Sequence, residues 1–183
     1  MSAGFYDAGP LRQVAINLFH GWGYNFYRKE NQLRADDLLV RSKAAWLLGR
    51  ARAGVEAAES AYRRTELPPP TREHPFPSAQ AVAGAQSLER LAQAIGTLKG
   101  RIEALPAPEN DRMSQRYRSE AATLEALVTH DEQLIGQAEL LRSLVEDVDG
   151  KALLAALPDL ERGLAAIQGT LHDREATLAG LIG

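Results

Sequence analysis

The segment FHGWGYNFYRKEN, residues 19–31, holds the densest group of side chains in the chain that could bind a ligand or a partner. Five of the eleven aromatic residues fall within residues 19–27, and a histidine lies among them. An imidazole can coordinate a metal or a tetrapyrrole iron, and tyrosine combines an apolar ring with a hydroxyl that forms hydrogen bonds. The segment therefore indicates either a binding site or an aromatic part of a protein core.

If residues 10–31 form one continuous helix, these side chains divide between two faces. The face that continues the apolar stripe begun at Leu11 is predicted to lie in the core, and it carries Phe19, Trp22 and Phe26. The second face carries His20, Tyr24, Tyr27 and Asn31. Three interpretations of the second face remain open: burial within the protein's own bundle, an interface with a partner or a second copy, or a small-molecule pocket with His20 as hydrogen bonder or tetrapyrrole ligand.

Other patterns typical of catalysis or metal binding are missing from the sequence. The chain has no cysteine, which excludes disulfides, thiolate metal sites and cysteine nucleophiles. None of the four histidines follows a glutamate by three positions, as the ligand pairs of di-iron bundles do. The motifs HxxxH, GxxxxGK[ST], GxGxxG and GxSxG are also absent. We therefore predict no catalytic residue, no metal site and no resident cofactor, and we favour a protein that is not an enzyme.

Apolar residues recur three and four positions apart along most of the chain, which predicts helices and no strands. The predicted elements are an aromatic helix over 10–29, bundle helices over 32–65, 78–105, 109–148 and 151–182, and a Pro-rich crossover over 67–77. We therefore expect one all-α domain over 1–183. It would be an antiparallel bundle of four long helices with coiled-coil-like seams and an additional N-terminal helix.

Two charged residues, Asp131 and Arg174, occupy seam positions that the repeat otherwise gives to apolar side chains. A hairpin that turns near residue 150 would place Asp131 level with Gln168, and Arg174 level with Glu125. Polar groups in a seam commonly set its register at a cost in stability. A catalytic carboxylate at Asp131 is the alternative interpretation.

The stretch RSKAAWLLGRAR, residues 41–52, has four basic residues and no acidic one. On a helix, Arg41 and Arg52 lie close to one line with the preceding Arg34. The remaining basic residues of the stretch, Lys43 and Arg50, flank Trp46 on the other side. Because the basic charge is divided and the net charge of the chain is -3, nucleic-acid binding is not favoured. We expect the line of arginines to meet acidic helices of the bundle or a carboxylate-rich partner.

No stretch reaches the roughly 18 apolar residues that a membrane span needs. Because no basic leader precedes an apolar run, we expect a cytoplasmic protein. We predict a non-enzymatic helical bundle that acts through protein–protein contacts or self-association, as an adaptor, assembly factor or complex subunit. The expected contact residues are His20, Tyr24, Tyr27, Asn31, Arg34 and Arg41. The alternative is a bundle that binds a small molecule, a tetrapyrrole or a metal at the N-terminal aromatic segment.

Overall fold

A computed structural model of the chain describes residues 4–24, 32–72, 75–105 and 121–182. These residues form helices and no strand, so the predicted all-α bundle is confirmed. The helices are α1 (Ala8–Trp22), α2 (Gln32–Glu66), α3 (Ala79–Ala104), α4 (Ala121–Val145), α5 (Gly150–Ala155) and α6 (Leu157–Ile182).

Local sequence explains where several helices begin and end. The side chain of Ser78 accepts a hydrogen bond from the backbone N–H of Ala81 at the start of α3. The side chain of Asp149 accepts two such bonds at the start of α5. After α2, the run of prolines at 68–70 prevents a continued helix, because proline has no backbone N–H.

Two predicted helix boundaries are wrong. The first helix ends at Trp22 rather than at residue 29, because Gly23 adopts a left-handed conformation with φ of 78° that closes the helix. The predicted helix over 151–182 is divided at Ala156 into α5 and α6, and Pro158 would remove a hydrogen bond from a continuous helix. Of the predicted helix over 109–148, residues 109–120 lie outside the described residues.

The long helices form two hairpins with a shared core. α2 packs against α3, and α4 packs against α6, while α1 packs against α4. Apolar seam residues predicted from their spacing fill the interior, and those fully shielded from solvent include Leu88, Ile95, Leu127, Leu134 and Leu171. The coiled-coil-like repeat therefore marks the buried side of each helix.

The two hairpins meet through α2 and α4, which run in the same direction. At one end of this contact, Asp37 of α2 and Asp131 of α4 both bind Arg174. At the other end, a Cβ on Gly54 of α2 would lie 3.0 Å from the backbone oxygen of Val145 of α4. Neighbouring helices are thus antiparallel within each hairpin and parallel where the hairpins meet.

Two glycines of the bundle make room for the N-terminal residues. A Cβ on Gly136 of α4 would lie 2.5 Å from the carbonyl oxygen of Leu11, and a Cβ on Gly163 of α6 would overlap the ring of Phe5. In addition, Gln137 Nε2 donates a hydrogen bond of 3.0 Å to the carbonyl oxygen of Phe5. The position of α1 on the bundle therefore depends on missing side chains in α4 and α6.

We expect Gly136→Ala to lower the free energy of unfolding by about 1–3 kcal/mol, because the added methyl group must displace the backbone of α1. Gly169→Ala is the matched control, since a Cβ at this helical position of α6 meets nothing within 4 Å. There the loss of a glycine should raise stability by up to about 1 kcal/mol. Urea unfolding followed by circular dichroism measures both. A Gly136→Ala variant at least as stable as the wild type would contradict this packing.

Candidate functional site

Arg174 of α6 lies in the interior and joins three helices. Its Nε donates to Asp131 Oδ1 of α4 over 2.5 Å, and one terminal nitrogen donates to Asp37 Oδ1 of α2 over 2.8 Å. The three side chains are at most 1% exposed. Charges this deeply buried are stable only when they are paired and hydrogen-bonded. Arg174 therefore holds α6 against both α2 and α4.

Two further side chains extend this buried network. The hydroxyl of Tyr24 donates to Asp131 Oδ2 over 2.9 Å. Arg41 Nε lies 2.9 Å from Asp37 Oδ2, and another nitrogen of Arg41 donates to the carbonyl oxygen of Leu105. The network thereby reaches the segment that follows α1 and the residue that follows α3.

The two charged seam residues, Asp131 and Arg174, bind each other in the structure. The prediction that Asp131 lies level with Gln168 is therefore wrong by six positions, because Arg174 takes that place. Residues 146–156 form a turn and the short helix α5, so α6 enters the hairpin later than a simple turn near residue 150 would allow. The expectation that a polar residue faces each charge across the hairpin is otherwise met.

The residues predicted to form one contact surface are separated in the structure. Tyr24 is 6% exposed, and its ring stacks on Phe19 with the two centroids 4.2 Å apart. His20 is exposed on α1. Because α1 ends at Trp22, His20 and Tyr24 do not share a helical face. Arg41 is also in the interior, at 6% exposure.

The other predicted contact residues, Tyr27 and Asn31, and the side chain of Arg34 lie outside the described residues. Within the described part of the chain, no three histidine, aspartate or glutamate side chains are grouped to hold a metal ion. The hydroxyl of Tyr24 is bound to Asp131, while His20 faces solvent. This arrangement does not support a tetrapyrrole pocket formed jointly by His20 and Tyr24.

A partly apolar surface, which sequence reasoning did not single out, lies on α2 and is named here the Trp46 face. It comprises Ala35, Leu38, Ser42, Trp46, Gly49 and Ala53, which helical geometry places within about 80° of the circumference. Trp46 is 56% exposed and Leu38 is 44% exposed. The other four positions carry small side chains or none. The face thus presents two large apolar side chains on an otherwise shallow surface.

Basic side chains border the Trp46 face along both edges. On one edge, Lys43 Nζ lies 5.0 Å from the centre of a Trp22 ring, which connects the face to the end of α1. Arg50 lies on the same edge. On the opposite edge, the aliphatic part of Lys99 from α3 passes the backbone of Gly49. Both tryptophans of the chain therefore lie at or beside one basic-edged surface.

A second feature is an open groove of about 690 Å³ between the start of α1 and the first half of α4. Its lining includes Glu132, whose side chain is 6% exposed and lies 3.0 Å from the guanidinium of Arg12. Burial raises the pKa of Glu132, the neighbouring Arg12 lowers it, and the charge of Asp131 raises it further. The net rise means that the folded protein disfavours ionised Glu132 relative to a solvated glutamate.

Replacing Arg174 with Met would leave Asp37 and Asp131 buried without this cation. We expect a loss of about 3–5 kcal/mol in the free energy of unfolding. The matched control is Arg162→Met in the same helix, because the side chain of Arg162 is 72% exposed and its ion pair with Asp159 lies at the surface. That change should cost less than about 1 kcal/mol. Equal effects of the two substitutions in chemical denaturation would show that the network does not hold the bundle.

The stability of the fold should also depend on the protonation of Glu132. Because its pKa is raised on folding, its contribution to stability is fully present below the ordinary glutamate pKa and is lost as the pH rises through the raised value. Glu132→Gln should therefore remove part of the decline in unfolding free energy that the wild type shows as the pH rises above the ordinary glutamate pKa. Urea titrations at several pH values measure this slope.

A second substitution separates this effect from a general change in packing. Arg12→Gln removes the cation that lowers the pKa of Glu132, so the decline should extend to higher pH. Identical pH slopes for the wild type and Glu132→Gln would contradict the assignment.

No known protein family, curated protein or solved structure matches this chain. Among the described helices, none combines the length and apolar character needed to cross a membrane. Inference about function therefore begins from the buried network and from the surfaces around it.

Proposed function

We propose that this protein acts without catalysis, by binding another protein through the Trp46 face, as an adaptor, assembly factor or complex subunit. The observation that carries the proposal is the exposure of Trp46 in the middle of a long helix. Tryptophan is enriched among the residues that contribute most to protein interfaces. Covering its exposed part would remove on the order of 100 Å² of apolar surface from water, a gain of about 2–3 kcal/mol.

The outward position of Trp46 follows from the buried network. Trp46 and Asp37 lie on opposite sides of α2, because nine helical residues correspond to a rotation of about 180°. Asp37 must face inward to bind Arg174. The neighbours Leu47 and Leu48 are at most 1% exposed, so the helix cannot rotate to cover Trp46 without opening the core. The backbone of α2 at Trp46 is therefore fixed before a partner binds, which lowers the conformational entropy lost on binding.

The proposed class of function is the one predicted from the sequence, but most of the proposed contact residues are different and lie on α2. Tyr24 and Arg41 support the bundle from within, where a partner does not reach them. His20 remains a proposed contact residue, since it is exposed near the end of α1. Trp22 connects that end of α1 to the Trp46 face through Lys43.

The test compares affinity-tagged wild-type protein with Trp46→Ala in capture from a native lysate of the source organism, followed by quantitative mass spectrometry. At least one protein held by the wild type should fall at least tenfold with Trp46→Ala, because the substitution removes the largest exposed apolar side chain of the face. Phe76→Ala is the matched control, since Phe76 is an aromatic residue with 85% exposure in the Pro-rich crossover.

Both variants should unfold at denaturant concentrations close to that of the wild type, because exposed substitutions usually change stability by less than about 0.5 kcal/mol. Retention of every captured protein by folded Trp46→Ala would refute the proposed surface.

A further inference from the structure

The outer surface of α2 between residues 35 and 53 carries basic side chains and no acidic one. The two aspartates of this stretch, Asp36 and Asp37, are 2% and 1% exposed. Arg50 and Arg52 have side chains that are 57% and 48% exposed. A partner that covers the Trp46 face therefore meets positive charge at its edges.

Three cations along these edges have carboxylate neighbours within the chain, and the pairs are Arg50 with Glu146, Arg52 with Glu56, and Lys99 with Glu103. Exposed ion pairs of this kind contribute about 0–1 kcal/mol each. A carboxylate of a partner can therefore replace the chain's own carboxylate at each of these cations, because the interface shields the new ion pair from water. Lys43 lies over the Trp22 ring at the same edge.

The shape of the Trp46 face fits a helix better than a lipid surface. Its small positions, Ala35, Ser42, Gly49 and Ala53, let a second helix approach to an axis distance of about 8–10 Å. Leu38 and Trp46 could then pack between the side chains of that helix. A membrane-binding helix needs a broad apolar face, whereas two large apolar side chains give little area to insert into lipid.

A second copy of this chain is not expected to bind the Trp46 face. In a symmetric pairing of the face with itself, Lys43, Arg50 and Lys99 of one copy meet the same cations of the other. Glu146 and Glu103 are already paired with cations of their own chain. Charge therefore favours a different protein with acidic side chains.

We propose that the Trp46 face binds an amphipathic helix of another protein that carries glutamate or aspartate along both edges of its apolar stripe. The carboxylates of that helix bind Lys43, Arg50 and Lys99, while its apolar side chains surround Trp46. This inference specifies the partner of the proposed function and rests on it.

Two synthetic helical peptides with the same leucine stripe, one with glutamate and one with lysine along its edges, provide the probes. Each is titrated into the full chain carrying Trp22→Phe, so that Trp46 is the fluorescent reporter. The glutamate-edged peptide should shift the Trp46 emission to shorter wavelength and bind at least tenfold more tightly than the lysine-edged peptide. A Lys43→Glu, Arg50→Glu double variant should reverse this preference, and wild-type protein should gain no comparable affinity for phosphatidylglycerol vesicles.

Equal affinity for the two peptides, no binding of the glutamate-edged peptide, or tighter binding to the vesicles would overturn the inference. The capture experiment distinguishes this failure from failure of the proposed function. If Trp46→Ala loses the captured partner while the Lys43→Glu, Arg50→Glu variant keeps it, the Trp46 face binds a protein and the acidic-edged helix is wrong. If Trp46→Ala keeps every partner, the proposed function itself is wrong.

Discussion

A buried arginine determines how the helices of this protein are arranged. Arg174 binds Asp131 of α4 and Asp37 of α2, and Arg41 provides a second cation beside Asp37. Apolar residues in the same space would often give equal or greater stability, so such a network contributes chiefly by permitting few arrangements. Arg174 is the cation that binds Asp131, and Asp37 lies between Arg174 and Arg41, so the network favours the register that brings both carboxylates to one guanidinium. We therefore attribute the parallel alignment of α2 and α4 to this network.

The same constraint connects the interior to the proposed binding surface. Once Asp37 faces Arg174, the geometry of α2 directs Trp46 to the solvent, on the side away from the core. The N-terminal segment covers another side of the bundle, where Tyr24 binds Asp131 and Phe5 packs over Gly163. One side of the bundle is thus closed by the chain itself, while Trp46 and Leu38 are exposed on the outer side of α2.

Local spacing was enough to predict the helices, because apolar repeats such as the one through Leu88 and Ile95 depend only on neighbouring residues. It also identified Asp131 and Arg174 as seam positions. Their pairing was not predictable, since it depends on how residues 146–156 fold between two helices. The end of α1 depends on the backbone conformation of Gly23, and a sequence with two nearby glycines does not show which one ends the helix.

The exposure of Trp46 was missed for a related reason. An apolar side chain in a long helix is ordinarily expected in the core, but Trp46 is out of phase with the buried residues of α2, which include Val40, Ala44, Leu47, Ala51 and Val55. Arg41 is a charged residue that is buried. Its four-residue spacing from Asp37 predicts an ion pair, but the spacing does not show that both residues lie in the interior.

The parallel alignment of α2 and α4 is measured most directly by electron paramagnetic resonance distances between spin-labelled cysteines, for which a cysteine-free chain is well suited. Labels at Ala53→Cys and Ser143→Cys should lie closer together than labels at Ala53→Cys and Glu125→Cys, by about 10 Å or more, because Glu125 and Ser143 are about 27 Å apart along α4. Equal distances, or a shorter distance to residue 125, would contradict the parallel arrangement in which Asp37 and Asp131 both bind Arg174.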